Sequence, residues 1–128
     1  MYKHLFSVAI SFLLSVYTLM GFNQKIYASE IEFLKSQMKP RIVIFSANWC
    51  LPCRMMHKWV KQDLTIKRLL SNYEVEFYDY DLDISMRTKY NVTRIPTFII
   101  LENEEEKARR VGIGSGKRGL ELFLEAYK

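Results

Sequence analysis

The sequence predicts an α/β domain in which a small, mixed, four-stranded sheet carries helices on both faces. Three observations point there. Apolar periodicity switches between about 3.6 and 2 along the chain, in the order α-β-α-β and then β-β-α. The short β-branched run Arg41–Ser46, set between a proline and a helical stretch, has the pattern of a strand buried on both faces. Finally, 128 residues with 49% hydrophobic content suffice for one core but not for two.

The elements follow in order. Lys3 and His4 precede an apolar run, Leu5–Phe22, which is followed by Asn23-Gln24-Lys25 and Ile26-Tyr27-Ala28. This is the outline of a secretory signal cleaved after Ala28, dividing the chain into a leader at 1–28 and a folded domain at 29–128. The run approaches bilayer-spanning length, so an uncleaved N-terminal membrane anchor is the alternative. Either way the domain is expected to be periplasmic or otherwise extracytoplasmic, where disulfides form and persist.

Ser29 followed by Glu32 reads as a capping box for a helix over Glu30–Met38, ended by Pro40, with Ile31, Phe33, Leu34 and Met38 on its apolar face. Arg41–Ser46 then takes the centre of the sheet. A helix from Cys53 carries Met56, Trp59 and Val60 inward, and Asp63 caps a second piece, Leu64–Leu70. Val75–Leu82 alternates as a strand parallel to the central one, with Tyr78 and Tyr80 on one face and Phe77 on the other. A helical turn at Met86–Tyr90 leads to a hairpin of Thr97–Leu101 and Ala108–Ile113 around a charged turn, Glu102–Lys107. Gly112 and Gly114 break that pattern before a last helix, Lys117–Tyr127, which buries Leu120, Phe123 and Leu124.

Charge excludes one class of partner. The 19 basic and 14 acidic residues give +5, and removing Lys3 and Lys25 with the leader leaves 17 against 14, or +3. So mild an excess, interspersed with acids as in Glu102–Arg110, describes a solvated surface rather than a nucleic-acid interface.

The chemistry concentrates in Trp49-Cys50-Leu51-Pro52-Cys53, which holds the only two cysteines. A strand delivering Cys50 to a helix N-terminus places its sulfur among unpaired N–H groups, where the thiolate is favoured and the thiol pKa falls from about 8.5. Cys53, one turn further in, is shielded. This spacing therefore divides the work between a nucleophile, Cys50, and a resolving thiol, Cys53. A zinc site needs about four ligands, and besides the two thiols only His4 and His57 are available, so no metal is expected. A purely structural disulfide would close too short a loop to constrain the unfolded chain much. Met55 and Met56 beside the motif raise a copper-handling alternative, but core packing is the commoner use of methionine.

With the motif in place, Phe45-Ser46-Ala47-Asn48-Trp49-Cys50-Leu51-Pro52-Cys53-Arg54-Met55-Met56 resembles the active-site segment of thioredoxins, and Arg94-Ile95-Pro96-Thr97 resembles their cis-proline loop. The resemblance runs from Ser29 to Lys128. It implies the thioredoxin fold and a protein thiol-disulfide oxidoreductase, similar to the C-terminal domain of the bacterial thiol:disulfide interchange reductase. By the same resemblance Cys50 and Cys53 form the redox-active disulfide, Trp49 shapes the contact surface, Pro96 is cis, the backbone of Ile95 receives substrate, and Gly112 belongs to a third substrate-contacting loop. The implied partners are substrate proteins with thiols or disulfides and a membrane redox partner, with no cofactor, for a protein acting as a monomer.

The departures are as informative. Ile44 stands where thioredoxins bury an aspartate that moves the resolving thiol's proton, Asp79 falls within a residue of the accompanying lysine, and Lys58 replaces the helix-kinking proline. His57, four residues beyond Cys53, and Asp79 are the candidate replacements, with a plain solvated histidine as the alternative. Leu51-Pro52 lacks the histidine found between the cysteines of familiar oxidants, which favours a reductant over a disulfide-donating oxidant. A non-enzymatic binding module is the third alternative, opposed by retention of both cysteines, Trp49 and Pro96.

Overall fold

The computed structural model describes residues 27–34 and 39–127, which fall in two compact units divided between Met38 and Lys39. In the first, residues 27–34 are helical. Because Tyr27 is already helical, Ser29 lies inside the helix instead of capping it, and Ile31, Phe33 and Leu34, expected to face inward, are exposed. The rest of that predicted helix, 35–38, and all of the leader up to residue 26 lie outside the described residues. Among the described residues no helix is long and apolar enough to cross a membrane.

The second unit holds β1 (Arg41–Ser46), α1 (Leu51–Gln62), α2 (Leu64–Leu70), β2 (Glu74–Asp79), α3 (Ile84–Lys89), β3 (Thr97–Glu102), β4 (Glu105–Val111) and α4 (Gly116–Ala126). The strands form one sheet in the order β2-β1-β3-β4. β1 runs parallel to β2 and antiparallel to β3, and β3 pairs antiparallel with β4. This is the α/β class expected, a mixed four-stranded sheet with Arg41–Ser46 inside it.

Strand alternation sorts the core into two layers. Ile42 and Ile44, with Phe98 and Ile100 opposite them on β3, pack against Met56 of α1, Ile66, Leu69 and Leu70 of α2, and Leu120 and Leu124 of α4. Val43, Phe45, Ile99 and Leu101 face the other way, onto Tyr90 and Val92, with Tyr78, Tyr80 and Met86 around them. Each fully buried phenylalanine, Phe45 and Phe98, contributes about 1.5–3 kcal/mol of apolar transfer.

Several boundaries differ from expectation, most by one or two residues, as where α1 starts at Leu51 instead of Cys53, and three by more or for a visible reason. β2 stops at Asp79 instead of Leu82, because Asp79 Oδ1 accepts the amides of Asp81 and Leu82 at 2.9 and 3.1 Å and turns the chain. α3 starts at Ile84, ahead of the expected Met86. The hairpin turns on only Asn103 and Glu104, at φ 52° and 66°, so Glu105–Lys107 join β4 instead of the turn. Glutamate is a poor residue for that conformation, and the ion pair from Arg41 Nη1 to Glu104 Oε1 at 2.7 Å holds it there.

Candidate active site

β1 ends at Ser46 and the chain turns through Ala47–Trp49 into α1. The Cys50 amide donates to the Ala47 carbonyl at 3.2 Å, and Cys50 itself occupies the N-cap in extended conformation, its Sγ accepting from the Cys53 amide at 3.2 Å. A sulfur thus takes the place usually filled by a capping hydroxyl or carboxylate, which is the placement that favours a thiolate. Pro52, in the first turn, has no N–H to leave unsatisfied.

Cys50 and Cys53 are joined as a disulfide, with Cα atoms 5.2 Å apart. Their surroundings differ. Both are buried, Cys53 completely and Cys50 to 4% exposure, but Cys50 borders an open cleft of about 420 Å³ with Trp49, Leu51, Pro52, Tyr80, Arg94 and Ile95. Ile95 and Tyr80 also pack on the cluster formed by Ala47, Cys50 and Cys53. The Ile95–Pro96 peptide bond is cis. Gly112 stands one step behind, its amide donating to the Pro96 carbonyl at 2.7 Å, and its φ of 77° is a conformation that glycine adopts without strain. Trp49 is 66% exposed on the rim, and its indole N–H donates to Asp81 Oδ2 at 2.7 Å.

Behind the disulfide the strand face reads Ile42, Ile44, Ser46. Ile44 is fully buried among apolar side chains. Ser46 ends the row and its hydroxyl meets His57 Nε2 at 3.0 Å, while the imidazole lies 5.5 Å from the Phe77 ring. Burial, assisted by the Lys61 charge, pushes the His57 pKa below its ordinary value, so the ring is neutral and able to take a proton at neutral pH. Asp79, the other candidate, uses Oδ1 for the turn after β2. The arrangement therefore offers a nucleophile at an open cleft, a second sulfur under it, and a neutral base one helical turn along.

The structure brings Trp49, Cys50, Cys53, Ile95 and Pro96 together, with Gly112 supporting the proline and His57 one turn along α1 from Cys53, against Ser46. Sequence reasoning missed Ser46, Asp81 and Arg94. Ser46 was detectable in principle, since period-2 alternation places it on the face of Ile42 and Ile44, toward α1. Met56 is core, but Met55 is 46% exposed. Among the described residues no group of three His, Cys, Asp or Glu side chains is placed to hold a metal ion.

Comparison with known proteins gives a consistent result. The family model described as thioredoxin matches residues 20–126. A thioredoxin of Rickettsia bellii is 36% identical over 84 residues, spanning 66% of this chain and 77% of its own. The X-ray structure of a Fasciola hepatica thioredoxin superposes with a TM-score of 0.60 at 28% identity, covering 79% of this chain and 94% of that one. The germline-specific thioredoxin Deadhead of Drosophila melanogaster gives 0.62 at 25% identity, covering 82% and 94%.

Proposed function

The chain belongs to the thioredoxin family and carries that family's thiol-disulfide oxidoreductase pair, and on that premise we propose that it is an extracytoplasmic reductant of protein disulfides. The observation that carries this reading is the unequal setting of the pair, with Cys50 on an open cleft and Cys53 sealed beneath it. In the reduced protein the Cys50 thiolate attacks a substrate disulfide, forming a mixed disulfide and releasing one substrate thiolate. Cys53 gives up its proton to His57, directly or through water, and attacks the Cys50 sulfur, releasing the second substrate thiolate and closing the Cys50–Cys53 disulfide. Two electrons pass to the substrate, whose two thiolates take up the proton left on His57 and one from solvent, and the disulfide form described above is the product. The backbone of Ile95 receives an extended substrate segment beside Cys50.

Export is supported by the leader pattern of Lys3 through Ala28. Outside the cytoplasm the disulfide is re-reduced by a membrane redox partner, and the protein acts as a monomer. The reductive direction is supported by Leu51-Pro52, which has no histidine to stabilise the reduced form. Equilibration of the purified protein against glutathione or dithiothreitol buffers tests it. A potential near thioredoxin's, about −270 mV, is expected, and one near −120 mV would make the protein a disulfide donor instead.

A further inference from the structure

The surface around the disulfide is cationic on both flanks. Arg54, Lys58 and Lys61 stand at i, i+4 and i+7 on α1, all exposed, and with Asn48, His57 and Gln62 they line a second hollow beside the motif. α1 contains no aspartate or glutamate. Across the motif Arg94, also exposed, lines the Cys50 cleft. None of these four cations has a carboxylate partner among the described residues; that is also true of Lys39, Lys67, Arg68, Arg87, Lys89 and Arg110, so what sets the four apart is their place beside the motif. Of the nearby acids, Asp63 is neutralised by Lys117, while Asp81, held by the Trp49 indole, keeps its charge at the rim of the cleft.

Cations held unpaired beside a nucleophile select what approaches it. We propose that Arg54, Lys58 and Lys61 on one flank and Arg94 on the other form a docking surface for an acidic segment of the substrate protein. This deepens the redox reading above and rests on it. The α1 stripe covers seven helical positions, about 10 Å, and an extended chain rises about 3.3 Å per residue. Measured from Cys50 the stripe lies four to eleven helical positions away, about 6–16 Å, so the substrate's Asp or Glu residues lie about two to five positions from the cysteine that Cys50 attacks. Such a surface raises the rate of encounter more than the final affinity.

The test uses three synthetic disulfide-looped peptides, identical except for flanking residues that are all Glu, all Gln or all Lys. Oxidation of the reduced full-length protein is followed by stopped-flow tryptophan fluorescence. At low ionic strength the Glu peptide is expected to react fastest and the Lys peptide slowest, about tenfold or more apart. The three should converge in 1 M NaCl, where charges are screened beyond about 3 Å. The substitution K58E, which leaves in place the Lys61 charge that acts on His57, should narrow the spread while leaving oxidation by bis(2-hydroxyethyl) disulfide, an uncharged probe, unchanged. Equal rates for all three peptides, a spread that persists in 1 M NaCl, or one that K58E leaves unchanged, would overturn the docking surface and leave the redox activity standing. No exchange with any peptide or with bis(2-hydroxyethyl) disulfide would overturn the redox reading and this proposal with it.

Discussion

In front of Cys50 the molecule is open, aromatic and charged, with Trp49 and Arg94 exposed on the rim of the cleft. Behind Cys53 it is closed, and apart from the Ser46–His57 pair it is apolar, with Ile44 and Met56 fully buried. Two residues of the same type, a single helical turn apart and both buried, thus differ in that only Cys50 borders the cleft. The front favours an anion that can reach other molecules, and the back holds its thiol until a mixed disulfide is available inside the protein. Chemistry common to both sulfurs is made sequential by their surroundings.

The sharpest way to break this comparison is to remove one sulfur at a time. Cys50→Ala should abolish exchange altogether. Cys53→Ala should keep the first attack and accumulate mixed disulfides with substrate, read by mass spectrometry under non-reducing conditions. Full activity in Cys50→Ala would end the assignment.

The dry back can be tested next. Ile44→Asp restores the carboxylate that thioredoxins bury, but here its neighbours are apolar. It should cost at least the ~2–5 kcal/mol of truncating a buried isoleucine, with carboxyl desolvation added, read by urea unfolding. Ile44→Val should cost about 1 kcal/mol. An Ile44→Asp variant as stable as the parent would show that water already reaches the space behind Cys53.

His57 gives a smaller, pH-dependent effect. Its folded pKa is depressed, principally by burial and then by Lys61, so below about pH 6.5 the unfolded chain binds a proton that the folded chain resists. Stability therefore falls with pH from there down to the folded pKa. In His57→Gln the urea midpoint should be flatter between pH 7 and about pH 5, and the resolving step should slow without loss of the first attack. The smallest effect is expected in front, where Trp49→Phe removes the hydrogen bond to Asp81 from an exposed rim and should shift stability by about 1 kcal/mol or less.

What was legible in the sequence was what a few consecutive residues decide. The β-branched run of β1, the Asp63 cap, whose Oδ1 accepts from the Thr65 and Ile66 amides at 3.0 Å each, and the spacing of Cys50 and Cys53 all act over one turn or one strand. Pro96 came from a four-residue resemblance. The illegible parts depend on pairings between distant segments. Ser46 and His57 meet only because β1 packs under α1, Asp81 finds Trp49 across 32 residues, and Glu104 tolerates its turn conformation because Arg41 reaches it. The end of β2 failed for another reason: Tyr80 and Leu82 look like strand, but the Asp79 side chain competes for the backbone amides that would have continued the ladder.

The hairpin has a consequence for the company this protein keeps. Lys107 is the extra residue of a bulge, since Ile100 pairs with Ala108 and Leu101 with Glu106. The β4 border of the sheet is thereby twisted and studded with Glu105, Glu106, Lys107, Arg109 and Arg110, and the β2 border carries Glu74 and Glu76. Both borders repel intermolecular strand pairing. A protein that exchanges disulfides with other protein chains is in this way kept from adding their strands to its own sheet.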